Sequence, residues 1–452
     1  MRRYNILVLL VILAIFLPAK AQALDLKECI QRGMAMSDKI KAAQDGSNEA
    51  EMQRLAAIGG FMPGMTAKAS WLWIDAHNTL VMDTSSIPAQ YAPLIQAMDL
   101  STLTALPDHN HDLTITAYQP LTQLGQIAFY NKMARNGKKI ADLQYELTED
   151  NVALLLGGAY FGVLANRGRV SALEKAQDQV ARLVKDAENM MAQGMITKAD
   201  LLKFQLRRDE VEMQLMQARE DLAQAKSTVA RYLNLTSPEV DYEDYTPSLA
   251  APRELDWYLS QGQKQRPDLQ IVGLSVRNAQ AAKGAAFWEN LPKISAVASQ
   301  DWNDDGLLTT PDRTTSGGLV MEWNFWDWGS TLNKARAARF QAKRAEHQAN
   351  ATQQDILLSI EKAWRDDRVA HQQVMVQKNS VTEAEENFRI ERNRFDVGKT
   401  TTTDLLTAQT QLTSAETGYT GALYGAAMAD ASLSFSVGNK PFPDIMGGSP
   451  NE

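Results

Sequence analysis

Cysteine and long apolar runs are nearly absent from this chain. Its 452 residues contain one cysteine, Cys29, so no disulfide can form within a single chain. Beyond the N-terminal run of residues 6–17, no segment holds 18 consecutive apolar residues, and the sequence predicts no membrane-spanning helix. The formal net charge of −8 argues against a nucleic-acid partner.

Recognisable catalytic and cofactor motifs are also missing. No nucleophile with a neighbouring base stands out, and no nucleotide-binding loop is present, so we predict no enzyme, no cofactor and no catalytic residue. His109-Asn110-His111, flanked by Asp108 and Asp112, is open to interpretation as a metal site. Its spacing fits no standard zinc framework, and a solvated turn in a loop is the preferred interpretation, with no metal predicted.

The N-terminus has the features of a secretory signal. Arg2 and Arg3 precede the apolar run, and Ala21-Gln22-Ala23 forms an A-x-A cleavage site. Residues 1–23 are therefore predicted to be a signal peptide, and the protein is predicted to be exported.

The chain contains an internal duplication. The segment Gly194–Gln205 returns 204 positions later as Gly398–Gln409, with six of twelve residues identical. In each copy a glycine follows one helical pattern, and Thr-x-x-Asp opens the next. This order indicates a helical hairpin, and apolar residues at heptad spacing indicate that its helices form a coiled coil.

The same succession of helix, two strands, long helix, turn and helix is predicted in both copies. A helix would cover about 26–60 and another about 255–289, and a long loop would cover 76–111. Four glycines between 157 and 168 predict a bend or bulge in the first long helix. The predicted boundaries are a first repeat at 24–235 (strands at about 65–74 and 113–119, hairpin at about 125–235), a linker at 236–252, a second repeat at 253–438 (strands at about 294–302 and 319–325, hairpin at about 329–437), and an irregular tail at 439–452.

Four strands of this length match the span of a membrane β-strand, but four strands cannot close a barrel. The strand count therefore predicts that several subunits pool their strands. Tryptophans near the strand ends fit membrane-interface belts, although they would also fit the core of a small soluble sandwich. These residues are Trp71, Trp73, Trp302, Trp323, Trp326 and Trp328.

The combined order of signal peptide, duplicated strands, glycine junctions at Gly125 and Gly329, and G-x5-D-L-L hairpins at Gly194 and Gly398 resembles the TolC-like outer membrane efflux proteins. The resemblance covers about 24–437. It implies a mainly α fold with a small β part, in which a homotrimer forms a coiled-coil α-barrel and a shared 12-stranded transmembrane β-barrel.

The resemblance also implies a function. Members of this family sit in the lipid of the outer membrane of Gram-negative bacteria and extend into the periplasm. They act as passive exit ducts in tripartite efflux or type I secretion, together with an inner-membrane transporter and a periplasmic adaptor. The alternative from the sequence is a periplasmic coiled-coil scaffold or adaptor, but adaptors usually carry one hairpin among β-rich modules. The sequence does not identify the cargo.

Asp200 and Asp404 are the candidate pore gate, because the family narrows its duct with acidic rings at the hairpin ends. The Thr-x-x-Asp pattern equally predicts helix caps, and the two roles are compatible. Thr407 and Thr400 stand where the family pattern has an acid and an arginine, which weakens the expectation of an ion-paired gate. The residues expected at the hairpin turns and in adaptor docking are Gly194, Met195, Ile196, Thr197, Lys198, Val397, Gly398, Lys399 and Thr400.

Overall fold

The computed structural model describes residues 23–73, 79–81, 88–91, 93–94, 102–104, 109–247, 252–304 and 313–446. The predicted signal peptide lies outside the described residues apart from Ala23. The chain divides into two compact units, one formed by residues 48–139 and 273–349 and the other by the rest.

Helices make up most of the described chain, and strands form a four-stranded and a two-stranded sheet, which confirms the expectation of a mainly helical protein with a small β part. The helices are α1 (Leu26–Met36), α2 (Asp38–Gly59), α3 (Leu124–Ala192), α4 (Lys198–Tyr232), α5 (Leu255–Gln265), α6 (Pro267–Trp288), α7 (Ser330–Asp396), α8 (Thr402–Ser436) and α9 (Pro443–Met446). The strands are β1 (Gly64–Trp73), β2 (Thr79–Val81), β3 (Thr102–Thr104), β4 (His109–Pro120), β5 (Lys293–Asp304) and β6 (Arg313–Glu322).

The larger sheet is antiparallel, with the order β1-β4-β5-β6. The two central strands come from different repeats, since β4 precedes α3 and β5 follows α6. Among the described residues, β1 and β6 each pair with one strand only, so the sheet has two open edges.

This sheet has one mainly apolar and one mainly polar face; exceptions include Gln300 and Thr315 on the first and Tyr118, Val297 and Val320 on the second. Side chains directly opposite each other in an antiparallel pair share a face, and successive residues alternate between faces. Apolar pairs therefore occupy one face: Met65–Ala117, Ala67–Ile115, Ala69–Leu113, Ala296–Leu319 and Ile294–Met321. Polar pairs occupy the other: Thr66–Thr116, Lys68–Thr114, Ser70–Asp112, Thr114–Asp301 and Ser299–Ser316. Hydrogen bonds such as Thr114 Oγ1 to Asp301 Oδ1 (2.7 Å) tie the polar face together.

Two strand boundaries differ from the sequence prediction. The last strand is Arg313–Glu322 rather than 319–325, because Glu322 pairs with Lys293, the first residue of β5, and later residues have no partner strand. Its Thr-Thr-Ser-Gly-Gly segment suggests a turn, yet main-chain pairing with β5 makes it a strand. Similarly, β4 begins at His109, which pairs with Trp73, so the His-Asn-His segment lies in a strand and not in the predicted loop.

The 76–111 region was also predicted to be only a loop, but β2 and β3 pair within it.

The two helices that precede strands each divide in two. Ser37 leaves the helical conformation, and its hydroxyl accepts a hydrogen bond from the Ile40 amide (3.5 Å), starting α2. Pro267 begins α6, a position where the missing N–H costs nothing.

The first long helix has no break at its glycines. Residues Leu124–Ala192 are α-helical throughout, which corrects the predicted bulge. The glycines instead permit close approaches, because a Cβ on Gly157 would overlap the Phe442 ring and one on Gly168 would overlap Thr420. Gly162, by contrast, has no atom within 4 Å of where a Cβ would be.

Residues of the tail and of the linker pack against the helical core. Phe442 is 7% exposed and lies 6.2 Å from the Phe161 ring, and Pro443–Met446 forms one helical turn. Linker residue Tyr242 is buried and forms a parallel bridge with Leu24. The predicted irregular tail is thus wrong for residues 442–446, because the space beside Gly157 gives an aromatic side chain a buried position.

Cys29 is fully buried in this core, and burial raises the pKa of its thiol to about 12.

The apolar residues at heptad spacing in the hairpins are buried for the most part; Val180, Val211 and Leu405 are examples. Within the described ranges, no helix combines the length and apolar character needed to span a membrane.

The Gly157–Phe442 contact gives a stability prediction. Gly157→Ala should lower the free energy of unfolding by about 1–3 kcal/mol, since the new methyl group forces Phe442 to move. Gly162→Ala is the matched control, and it should be stabilising by about 0.5–1 kcal/mol because the helix loses a flexible residue without a clash. Chemical denaturation of the purified protein in detergent measures both. Equal effects of the two substitutions, or an unchanged Gly157→Ala cost in a Phe442→Ala background, would contradict the packing assignment.

Candidate gate at the hairpin turns

Each hairpin turn begins with a glycine in the left-handed conformation. Gly194 has φ +75° and Gly398 has φ +68°. The following amides complete the cap, with Met195 N donating to Met190 O (2.9 Å) and Lys399 N to Arg394 O (2.8 Å). This pair of turns shows the six-to-one hydrogen bond of a Schellman motif. Nothing lies within 4 Å of a Cβ at either glycine, so its backbone angle and not lack of space requires glycine.

The next residues form a capping box at both turns. Thr197 Oγ1 accepts a hydrogen bond from Asp200 N (3.2 Å), while Asp200 Oδ2 accepts from Thr197 N (3.3 Å) and from its hydroxyl (2.7 Å). Thr401 and Asp404 repeat this arrangement at the same three distances. The sequence prediction of two helix-start boxes is therefore confirmed.

These hydrogen bonds also change the acidity of the two aspartates. The Thr197 hydroxyl, helped by Lys203, lowers the pKa of Asp200 below its usual value. For Asp404, the Thr401 hydroxyl and amide lower the pKa, with contributions from Thr400 and Arg394. Both carboxyl groups are thus held in the charged form while they cap their helices.

The second turn carries a larger polar network than the first. Thr400 Oγ1 lies 2.7 Å from Glu391 Oε2 and 3.2 Å from Asp404 Oδ2. Glu391 Oε1 also accepts a hydrogen bond from Arg394 Nη1 (2.7 Å). Arg394 on α7 also lowers the pKa of Asp404 through its charge, so a positive charge acts on this carboxyl group although residue 400 is a threonine.

The residues expected to dock an adaptor differ in their exposure. Met195 is 60% exposed and Val397 64% exposed, and both present apolar surface at the turns. Ile196 is partly buried against the core between the hairpins. Lys198 and Lys399 are exposed, whereas Thr197 and Thr400 are engaged in the hydrogen bonds just described.

A buried polar contact between the two hairpins was not anticipated from the sequence. Arg207 Nε on α4 donates to Gln409 Oε1 on α8 (3.0 Å), and Gln409 Nε2 donates to Thr413 Oγ1 (2.9 Å). Arg207 is 8% exposed and Gln409 is 0% exposed. We call Arg207, Gln409 and Thr413 the polar clasp.

A sequence signal for the clasp exists in retrospect. Arg207 follows Phe204 by three residues and precedes Val211 by four, so it lies on the apolar row of α4, where a charged group needs a partner. In the internal duplication Gln409 is the counterpart of Gln205. The clasp is not duplicated, because the residue 204 positions after Arg207 is Gln411.

A second polar link joins the two hairpins. Arg392 on α7 forms an ion pair with Asp186 on α3, and Asp396 lies 3.3 Å from the same guanidinium. The Phe204 and Phe395 rings pack edge to face at 5.6 Å. The first and second hairpins are therefore joined near their turns by apolar packing, one buried hydrogen-bonded clasp and one ion pair.

The six tryptophans fall into two groups at opposite ends of the sheet. Trp71, Trp73 and Trp302 lie near one end, where Arg313 approaches the Trp302 ring at 6.0 Å. Trp323, Trp326 and Trp328 follow the end of β6 and are all more than half exposed. Trp71, Trp73, Trp323, Trp326 and Trp328 are thus not buried in a sandwich core within the described part of one chain.

The His-Asn-His segment lies at the start of β4. His111 packs edge to face against Trp71 at 6.1 Å, and Asp108 lies outside the described residues. No group of three His, Cys, Asp or Glu side chains in the described parts of the chain is placed to hold a metal ion.

Comparisons with known proteins agree with this architecture. Residues 258–439 match the family described as "Outer membrane efflux protein". No curated protein sequence gives a significant match. Among solved structures, the CmeC outer membrane channel of Campylobacter jejuni aligns with a TM-score of 0.76 and 14% identity, covering 94% of this chain and 89% of that chain.

Two further structures give similar values. The outer membrane protein VceC of Vibrio cholerae has a TM-score of 0.76 and 15% identity, with 92% of this chain and 96% of that chain covered. The MtrE outer membrane channel of Neisseria gonorrhoeae, in its open state, has a TM-score of 0.72 and 15% identity, with 92% and 89% covered. The resemblance to TolC-like proteins inferred from the sequence is confirmed: residues 258–439 match the outer membrane efflux protein family, and the described chain has the fold of these solved channels.

Proposed function

We propose that this protein is an outer membrane channel that serves as the passive exit duct of a tripartite efflux or type I secretion system. It would lie in the outer membrane of a Gram-negative bacterium, with its helices extending into the periplasm. An inner-membrane transporter would supply the energy and a periplasmic adaptor would join it to the duct. No chemical step is assigned to the duct itself.

The observation that carries this proposal is the two-faced sheet with open edges. Its apolar face suits contact with lipid, and its polar face suits contact with water. Unpaired backbone groups at β1 and β6 would be costly in a membrane, so each edge needs a partner strand. Three copies would supply a closed 12-stranded barrel from three four-stranded sheets.

The hairpin turns are the proposed periplasmic mouth of the duct. Three copies each of Asp200 and Asp404 would form acidic rings that favour cations and resist closure through mutual repulsion. The exposed apolar residues Met195 and Val397, with Lys198 and Lys399, are the proposed docking surface for the adaptor. The polar clasp would hold the two hairpins of each subunit together in the closed mouth, and would have to separate when the mouth opens.

Neighbouring residues of β4 on opposite faces test the membrane placement. Ile115→Asp puts a charge on the apolar face and should abolish heat-resistant trimers in the outer membrane fraction. Thr116→Asp puts the same charge on the polar face and should leave the trimers intact while increasing cation selectivity in planar bilayers. A wild-type protein that is monomeric and soluble without detergent would favour the periplasmic scaffold instead, and equal tolerance of both substitutions would contradict the two-faced barrel.

Asp404 tests the acidic gate, because its charge and its capping role can be separated. Asp404→Ala should raise single-channel conductance and weaken block by multivalent cations. Thr401→Ala removes the cap partner but keeps the carboxylate, so it should lower helix stability by about 1 kcal/mol and retain the block. Because the pKa of Asp404 is lowered, block in wild type should persist through mildly acidic pH and disappear only as pH falls through that lowered value. Unchanged conductance and block in Asp404→Ala would reject the gate role.

The polar clasp makes a separate prediction about opening. Arg207→Ala leaves Oε1 of the buried Gln409 without its donor, at a cost of about 1–3 kcal/mol, and should raise the open probability of the channel in planar bilayers by about tenfold. Arg208→Ala is the control, since Arg208 is exposed and pairs with its neighbour Asp209. Trimers of Arg207→Ala that gate like wild type would show that the clasp does not hold the mouth closed.

A further inference from the structure

An apolar groove with a basic rim lies between α3, α6 and α7, within the unit that contains the sheet. Its volume is about 520 Å³. Four large apolar side chains line it, namely Phe129, Phe287, Trp288 and Leu332. Gly284 forms part of the wall, and a Cβ there would overlap the Phe129 ring. The absence of a side chain at position 284 thus lets α3 and α6 approach closely at this point.

Three cationic side chains line the same groove. They are Lys283 on α6 and Arg336 and Arg339 on α7. No ion pair joins any of them to an acidic side chain of the described residues, and Arg336 has only a 3.5 Å contact with Asn333. No acidic residue lines the groove. The site is therefore apolar in its floor and positively charged at its rim, without internal neutralisation.

The groove also keeps large apolar surface open. Phe287 is 62% exposed and Leu332 is 51% exposed. Exposing such an apolar patch to water is unfavourable, whereas an acyl chain would cover it. Guanidinium groups bind phosphate through paired hydrogen bonds, and lysine adds a third charge. One ligand that satisfies both parts is an anionic phospholipid, whose chain is apolar and whose headgroup is negative.

The helices that form the groove adjoin three strands of the sheet. Helix α3 follows β4 and α6 precedes β5, the two central strands, whereas α7 follows β6, an open edge. The chemistry of the groove therefore selects its occupant. A second copy would have to bring acidic side chains to three cations, whereas an anionic lipid brings a negative headgroup and an acyl chain together. The aromatic group at the end of β6 lies nearby in the same unit, with Trp323 Nε1 donating to Asn290 O just beyond α6 (3.3 Å).

We propose that this groove binds an anionic phospholipid of the bilayer, with the phosphate held by Lys283, Arg336 and Arg339 and an acyl chain covering Phe287 and Leu332. The proposal rests on the membrane placement given above. Bound lipid would anchor the ends of α6 and α7 to the membrane surface. It would add a lipid preference to a channel whose sheet requires only an apolar bilayer.

Native mass spectrometry of the purified, delipidated full-length protein tests this inference. Phosphatidylglycerol should bind more tightly than phosphatidylcholine, and Arg336→Gln/Arg339→Gln should weaken phosphatidylglycerol binding by about tenfold or more. Lys334→Gln/Arg344→Gln removes two exposed charges of α7 outside the groove and should retain the preference. Arg336→Lys/Arg339→Lys keeps the charge and should retain most of it, which guards against a folding defect in the glutamine variant.

Several outcomes would overturn the inference. Equal binding of the two lipids to wild type would do so, as would equal losses in the groove and control variants. Binding of inorganic phosphate that competes fully with the lipid would show an anion site without lipid recognition. Heat-resistant trimers and vesicle insertion, measured on the same samples, report on the proposed channel separately. Inserted trimers without a phosphatidylglycerol preference would reject only the lipid site.

Discussion

Backbone hydrogen bonding at the two edges of a small sheet is the constraint on which this structure depends. The strands β1 and β6 leave main-chain groups unpaired within the described part of one chain, while one face of the sheet is apolar. The hydrocarbon core of a bilayer holds no water to form hydrogen bonds with the unpaired backbone groups of such an edge, so further strands must pair with it. The two repeats contribute equally to this sheet, since each supplies one edge strand and one central strand.

At the hairpin turns, local and long-range demands fall on the same residues. Asp200 and Asp404 must cap α4 and α8, and this capping lowers the pKa of both carboxyl groups. The capping hydrogen bonds therefore keep these two carboxyl groups charged, and the same groups are proposed to form the acidic rings. The link between hairpins is made elsewhere, by the buried Arg207–Gln409 contact and the Asp186–Arg392 ion pair. Separating a buried arginine from its hydrogen-bond partner costs more free energy than breaking an exposed ion pair. The Arg207–Gln409 contact is therefore better suited to hold two helices together than an ion pair of an exposed carboxylate would be.

Periodic features of the sequence were predictable, and single contacts were not. The heptads of α3, α4, α7 and α8 and the alternation in β1 each involve many residues, so their elements could be placed from pattern alone. The start of β6 could not, because Thr314–Gly318 has the composition of a turn and becomes a strand only through its pairing with β5. Phe442 and the clasp escaped prediction for a similar reason. Their positions depend on a gap beside Gly157 and on a partner about two hundred residues away, which no local pattern records.

The central claim is that the open edges of the sheet are closed by other copies of the same chain in a membrane. Electron cryomicroscopy of the full-length protein reconstituted in lipid nanodiscs measures this directly. The account predicts three copies with β6 of one subunit paired to β1 of the next, the Ile115 face against lipid and the Thr116 face toward a water-filled lumen. A particle in which β1 and β6 remain unpaired, or in which the Thr116 face contacts lipid, would contradict it.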